Sequence, residues 1–135
     1  MKLFVDTGAL AALNVESDPR HPEAVAFFER LAPGTRLQTS NLVFAETINL
    51  IAARVGQDRA VEVGEAFHAS RLMEKVHYVD ESIERTALAA MRRFRDKPLS
   101  FVDATSIVLV RSEGLEGVFG FDSDFVRCGV PLFPR

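Results

Sequence analysis

Leu3-Phe4-Val5-Asp6-Thr7-Gly8-Ala9-Leu10 holds a strand, a turn and the start of a helix in eight residues. Leu3-Phe4-Val5 is a short, unbroken apolar run, as expected of a strand buried on both faces. Asp6 and Thr7 are residue types that cap helices, and Ala9 to Leu13 begins one. A chain that leaves a buried strand and turns at once into a helix is the opening half of a βα unit.

The same alternation runs outward from that stretch. Pro22 to Leu31 reads as a helix closed by Pro33-Gly34, and Leu37 to Thr39 as a strand. A long helix follows from Asn41 to Val55 and stops at Gly56, and another covers Asp58 to Met73. Val76 to Val79 is strand-like, Ser82 to Phe94 helical, and Phe101 to Arg111 an apolar helix ending near Gly114. Val118 to Phe121 is a strand, followed by a helical turn and a last short strand around Leu132. Strands separated by helices pair in parallel, because a parallel connection needs a crossover of this length. The expected architecture is one domain over residues 1–135: an α/β/α three-layer sandwich around a central, mostly parallel sheet. In such folds ligands collect beyond the carboxyl ends of the strands.

The 135 residues are 47% hydrophobic, enough for a core without staples, and the single cysteine, Cys128, can form no internal disulfide. Asp6, Thr7 and Gly8 interrupt the apolar start too early for a signal peptide. No segment approaches the roughly 18 apolar residues of a membrane helix, so a soluble, cytoplasmic protein is expected. A net charge of −3 argues against a broadly basic nucleic-acid surface. Acids gathered into a metal site would produce the same sum. Of the 16 cations, 13 are arginines, which suit bidentate phosphate contacts. Arg92, Arg93, Arg95 and Lys97 form the one dense basic stretch; it reads as a solvated helix end or as an RNA contact.

Four acids occupy positions with a common destination. Asp6 follows the first strand directly, and Asp122 follows Val118 to Phe121 directly, so both lie at carboxyl strand ends. Either alone is explained as a helix cap. Ser100-Phe-Val-Asp103 matches a capping box, yet the helix it opens is nearly all apolar and should be buried, aiming Asp103 into the same crevice. Glu46 lies inside the helix Asn41 to Val55. Phe44, Ile48, Ile51 and Val55 make that helix's apolar stripe, and Glu46 falls about 200° from Phe44, on a polar face with Asn49. Hard cations such as Mg²⁺ take oxygen ligands, so a few convergent carboxylates can hold one. A pair of metals about 4 Å apart can activate a water and stabilise the leaving oxygen of a phosphodiester.

Phe4-Val-Asp-Thr-Gly-Ala-Leu10, Val43-Phe-Ala-Glu-Thr47, Ser100-Phe-Val-Asp-Ala-Thr-Ser106 and Phe121-Asp-Ser-Asp-Phe125, in that order, resemble the motifs of the PIN-domain family. The match is nearest to its small VapC-type toxin ribonucleases. The resemblance implies that Asp6, Glu46, Asp103 and Asp122 hold a divalent metal, Mg²⁺ with Mn²⁺ as a substitute. Thr7 matches the hydroxyl residue that supports the first acid. Asp124 and Thr105, with Ser106, are candidates for supporting contacts through water. The implied activity is metal-dependent cleavage of RNA, tRNA or rRNA by type. The implied partners are a cognate antitoxin and a second copy of the chain.

Other classes fit less well. There is no P-loop, no G-x-S-x-G elbow and no Cys/His zinc cluster. An aspartate-nucleophile phosphatase would carry an acid two residues after Asp6, where this chain has Gly8. His21, His68 and His77 lie far from every acidic motif in sequence, as expected of a mechanism without a histidine pair. A PIN nuclease of RNA processing, or a silent binding module, would share the fold.

Overall fold

A computed structural model of residues 1–135 contains five strands and seven helices. In chain order they are β1 (Lys2–Val5), α1 (Thr7–Asn14), α2 (His21–Glu29), β2 (Arg36–Ser40), α3 (Asn41–Arg54), α4 (Gln57–Ala69), β3 (Met73–His77), α5 (Glu81–Arg93), α6 (Phe101–Ser112), β4 (Gly117–Phe119), α7 (Asp124–Arg127) and β5 (Leu132–Phe133). All pairings are parallel, and the sheet order is β3-β2-β1-β4-β5. The alternation of strands and helices therefore gives the parallel sandwich expected of it.

The order dictates the layers. From β1 the chain steps to β2 and β3 on one side, then returns across the sheet to β4 and β5 on the other. Right-handed crossovers put α1 to α4 on one face and α5 to α7 on the opposite face. The connections diverge between β1 and β4, so the carboxyl ends of those two strands flank a crevice. Leu3, Phe4 and Val5 of β1 and Val118 and Phe119 of β4 are fully buried. No helix is long and apolar enough to cross a membrane.

Some boundaries differ from the sequence reading. The fourth helix ends at Ala69, and Met73 starts β3 instead of closing the helix. Ser70 Oγ accepts from the Leu72 backbone N–H, a local turn that competes with helix continuation. Pairing of Met73 with Leu37 then draws the residue into the sheet. The strand β4 stops at Phe119, so Gly120 and Phe121 intervene before Asp122. On α3 the fully buried residues are Val43, Thr47 and Ile51. Phe44 and Ile48 flank them against Gly64 of α4, while Val55, expected in the apolar stripe, sits past the helix end and is exposed. Cys128 is buried, and burial pushes its thiol pKa up, as expected of an inert thiol.

Phe119 is the aromatic centre of the sheet, with the Phe27 ring edge-on at 4.8 Å and Phe121 at 6.5 Å. Replacing Phe119 with alanine is expected to cost about 3–5 kcal/mol. The exposed Val126 changed to alanine is expected to cost about 0.5 kcal/mol or less. Urea unfolding of the two variants checks both values.

Candidate active site

Asp6 takes the N-cap position of α1 with extended backbone, but its side chain caps no amide. Its backbone N–H donates to the Phe119 carbonyl at 2.9 Å, which ties the end of β1 to the end of β4. The carboxyl is buried, and Oδ1 has no hydrogen-bond partner; neither does the buried Thr7 hydroxyl beside it. Asp6 thus occupies the cap position without its carboxyl capping the helix.

Asp103 reaches the same place from the other face. Ser100 caps α6 by accepting the Asp103 N–H at 3.0 Å. The helix is buried along most of its length, from Asp103 to Ile107 and at Leu109 and Val110, because it packs between the sheet and α5. Glu46, half-buried on α3, is turned into the cleft instead of lying on a solvated face, while Asn49 remains exposed. Asp6, Thr7, Glu46, Asp103 and Asp122 all line this one cleft. Asp122 is itself exposed, and its Oδ1 accepts the Asp124 N–H at 2.9 Å in an Asx turn.

That turn adds Asp124 to the cluster. Carboxylate oxygens of Asp103, Asp122 and Asp124 lie within 4.8 Å of one another. Asp124 is shared, however, since its Oδ1 pairs with Arg127 at 2.7 Å. Thr105 and Ser106 are not brought to the cleft. Both hydroxyls donate to the Val102 carbonyl, at 2.7 and 3.0 Å, inside their own helix. None of the three histidines lines the cleft, and burial lowers the pKa of His77 at the far sheet edge. The basic stretch at Arg92, Arg93 and Arg95 forms an exposed patch with Arg85 and Leu88 on α5, outside the cleft. Gly120, Asp18, Arg20 and Arg54 adjoin or line the site without having been singled out in sequence. Only the four-residue spacing Glu46-Leu50-Arg54 marks one of them as sharing a helix face with an acid.

Desolvation, then repulsion from Asp103, raises the Asp6 pKa to about 7, partly offset by the Thr7 backbone N–H. Desolvation, then repulsion from Asp122, raises Asp103 to about 6, with the Ser100 hydroxyl pulling it partly down. None of Asp6, Glu46, Asp103 or Asp122 is in an ion pair. Converging oxygens, an orphaned carboxylate oxygen and an orphaned hydroxyl are what a hard divalent cation and its waters would satisfy.

A PIN domain family model matches residues 3–130. The chain belongs to the PIN-domain family. Among its PIN relatives is the 23S rRNA-specific endonuclease VapC20 of Mycobacterium tuberculosis, 35% identical over 127 residues and covering 94% of each chain. The crystal structure of that VapC20, a Sarcin-Ricin loop cleaving toxin, superposes with a TM-score of 0.87 at 33% identity over 96% of each chain. A PIN-like fold also recurs in FitAcB from Neisseria gonorrhoeae, with a TM-score of 0.72, 16% identity, and 98% of this chain and 96% of that one covered. VapBC-1 from nontypeable Haemophilus influenzae gives 0.65, 18%, and the same coverage, and both likenesses are of fold alone.

Two outcomes test the site. Asp6 and Asp103 bind their protons more tightly folded than unfolded, since both pKa values lie above the ordinary 3.8. Their contribution to stability is fully present below about pH 4 and is lost as pH rises through about 6 and 7. Calorimetry of metal-free protein is expected to show this loss between about pH 4 and pH 7. Divalent cations should restore stability most at pH 8, and Asp6→Asn should flatten both effects. Secondly, a Cβ on Gly120 would stand 3.0 Å from Asp6 Cβ and 3.5 Å from its Oδ2. Gly120→Ala is expected to keep the fold but weaken divalent-cation binding about 10- to 100-fold, measured by the cation-induced rise in Tm.

Proposed function

We propose that this protein is a Mg²⁺-dependent endoribonuclease, with Mn²⁺ able to substitute, and the toxin of a toxin–antitoxin pair. The observation that carries the chemistry is the buried Asp6 Oδ1 and Thr7 hydroxyl, both unpartnered, in a cleft where Asp6, Glu46, Asp103 and Asp122 make no ion pair. Such a site is costly unless a cation completes it. The 35% identity to an rRNA-specific endonuclease over 94% of the chain points to RNA, and to rRNA before tRNA, as the substrate.

Asp6, Glu46 and Asp103 would anchor the cation, with Asp122 completing the set or holding a second one. When bound, the cation supplies a water of lowered pKa and polarises the phosphate. The chain's own part is positional. The end of β1 and the start of α6 hold Asp6 and Asp103 on rigid elements, and burial limits competing solvation of their carboxylates. The Thr7 hydroxyl beside Asp6 is placed to support the site through water. Asp124, within 4.8 Å of Asp103 and Asp122 but shared with Arg127, would support the site beside them. Attack of water on phosphorus forms the new P–O bond as the P–O3′ bond breaks, leaving a 5′-phosphate and a 3′-hydroxyl.

The family reading brings two protein partners: a second copy of the chain and an antitoxin. An antitoxin that placed a basic side chain among these acids would gain charge complementarity and exclude substrate.

Purified chain free of antitoxin is expected to cut rRNA in Mg²⁺ or Mn²⁺ and to stop with chelator. Asp103→Asn, which keeps the shape and removes the charge, should lose cleavage by more than the roughly 10- to 100-fold that outer-shell changes cost. End-labelling should find 5′-phosphate products. Cleavage that survives chelation, or equal cutting by Asp103→Asn, would sink the mechanism.

A further inference from the structure

The cleft presents five carboxylates, of Asp6, Asp18, Glu46, Asp103 and Asp122, to a substrate that is itself a polyanion. Its lining contains two cations, Arg20 and Arg54. We infer that Arg20 and Arg54 are the phosphate-binding rim of the cleft, gripping the RNA backbone beside the scissile bond, with Asp18 as the positioning residue for both. This inference rests on the nuclease reading above.

Asp18 lies in the turn between α1 and α2, with its side chain only 11% exposed. One carboxylate oxygen, Oδ1, accepts the Arg20 backbone N–H at 2.8 Å; the other, Oδ2, faces Arg54 Nη1 at 3.8 Å. One partly buried acid thus contacts two arginines from separate elements at the cleft edge. Arg20 also stacks over the Phe121 ring at 5.1 Å, immediately before Asp122. Its pair with Glu23, at 3.1 Å, is between exposed side chains. Pairs this loose or this exposed add little to stability and leave guanidinium donors free.

Glu46, Leu50 and Arg54 follow one another at four-residue intervals along the cleft-facing side of α3. Eight residues of helix span about 12 Å, or three to four nucleotide rises of about 3.4 Å. Arg54 is therefore set back along the helix from Glu46, placed to meet a phosphate away from the bond being cut. Arg20, above Phe121, stands on the wall that carries Asp122. The two guanidiniums give a strand entering the cleft cationic footholds on different elements. The planar fork of arginine can engage a phosphate through two donors.

The test is binding of a fluorescein-labelled RNA oligonucleotide by anisotropy, over a range of salt, in an Asp103→Asn background that keeps the RNA intact. Steady-state cleavage is measured in parallel with Asp103 restored. Arg20→Ala and Arg54→Ala are each expected to weaken binding about five- to tenfold and to reduce the salt slope by about 0.7, one single-strand phosphate each. KM should rise with kcat unchanged, and Arg→Lys at either position should recover most of the binding. Melting temperatures report folding, and Arg54→Gln replaces Arg54→Ala if the alanine variant unfolds. Unchanged affinity and slope in both arginine variants would overturn the inference. So would a loss confined to Arg85→Ala and Arg92→Ala, which would move the RNA to the α5 patch. A parent protein that cuts no RNA but whose binding still depends on Arg20 and Arg54 refutes the nuclease reading and supports the rim.

Discussion

The reversal of chain direction beside β1 is the constraint from which the rest follows. Because β1 pairs with β2 on one side and β4 on the other, its backbone is committed to the sheet and its side chains are sealed beneath both helix layers. The crossovers leave the two sides in opposite senses. No loop then bridges the carboxyl ends of β1 and β4, and the residues just beyond them face a crevice. Asp6 is the first residue past β1, and Gly120 the first past β4. The absence of a side chain at Gly120 leaves room for Asp6, whose Cβ lies 3.0 Å from where a Cβ would be. Asp103 arrives because α6 starts at that same end of the sheet.

The electrostatic consequence is a folded state that is strained by its own charges. Burial first, and then repulsion from neighbouring carboxylates, raises both Asp6 and Asp103 towards neutrality. The rest of the molecule supplies the stability that holds them there. Phe4, Phe119, Ile107 and Leu109 are fully buried in β1, β4 and α6, the elements whose ends carry or adjoin the acids. A rigid core therefore sets the spacing of the acids, so the site has little freedom to relax by swinging a carboxylate into water. Preorganisation of this kind is what makes a cation site selective for small, hard ions over a merely acidic surface.

Much of this was legible in the sequence, because the decisive signals are local. An apolar triplet followed by Asp-Thr-Gly announces a buried strand turning into a helix, and the repeated alternation requires parallel pairing. Each of the four acids, taken singly, is explained as a helix cap or a solvated face; what selects them together is the resemblance of four motifs, in order, to the PIN-domain family. What was not legible depends on pairing between distant segments. Met73 continues the helical pattern of α4 as plausibly as it begins β3, and only its pairing with Leu37 decides the matter. Val118 to Phe121 is apolar throughout, so β4 looked two residues longer than it is. The inclusion of Asp124 beside Asp103 depends on the Asx turn at Asp122, and Thr105 was drawn away by a carbonyl of its own helix. Arg20 could not be found at all, since its place over Phe121 joins the α1–α2 turn to the segment after β4.

The net charge of −3 and the binding of a polyanion are compatible once the acids and arginines are separated in space. Asp6, Glu46 and Asp103 lie at the base of the cleft, where their field would repel a phosphate. Arg20 and Arg54 stand at its edge, more than half exposed. Neutralising the base with a divalent cation changes the sign of what the incoming strand meets there, while the edge remains attractive throughout. On the proposed reading cation and RNA would be coupled ligands, each binding better with the other present, by the same factor in either direction. On the proposed reading, carboxylates that repel the substrate when empty would make the catalytic ion a condition of productive binding, and an encounter with the proposed arginine rim alone would not bring the strand to the base of the cleft.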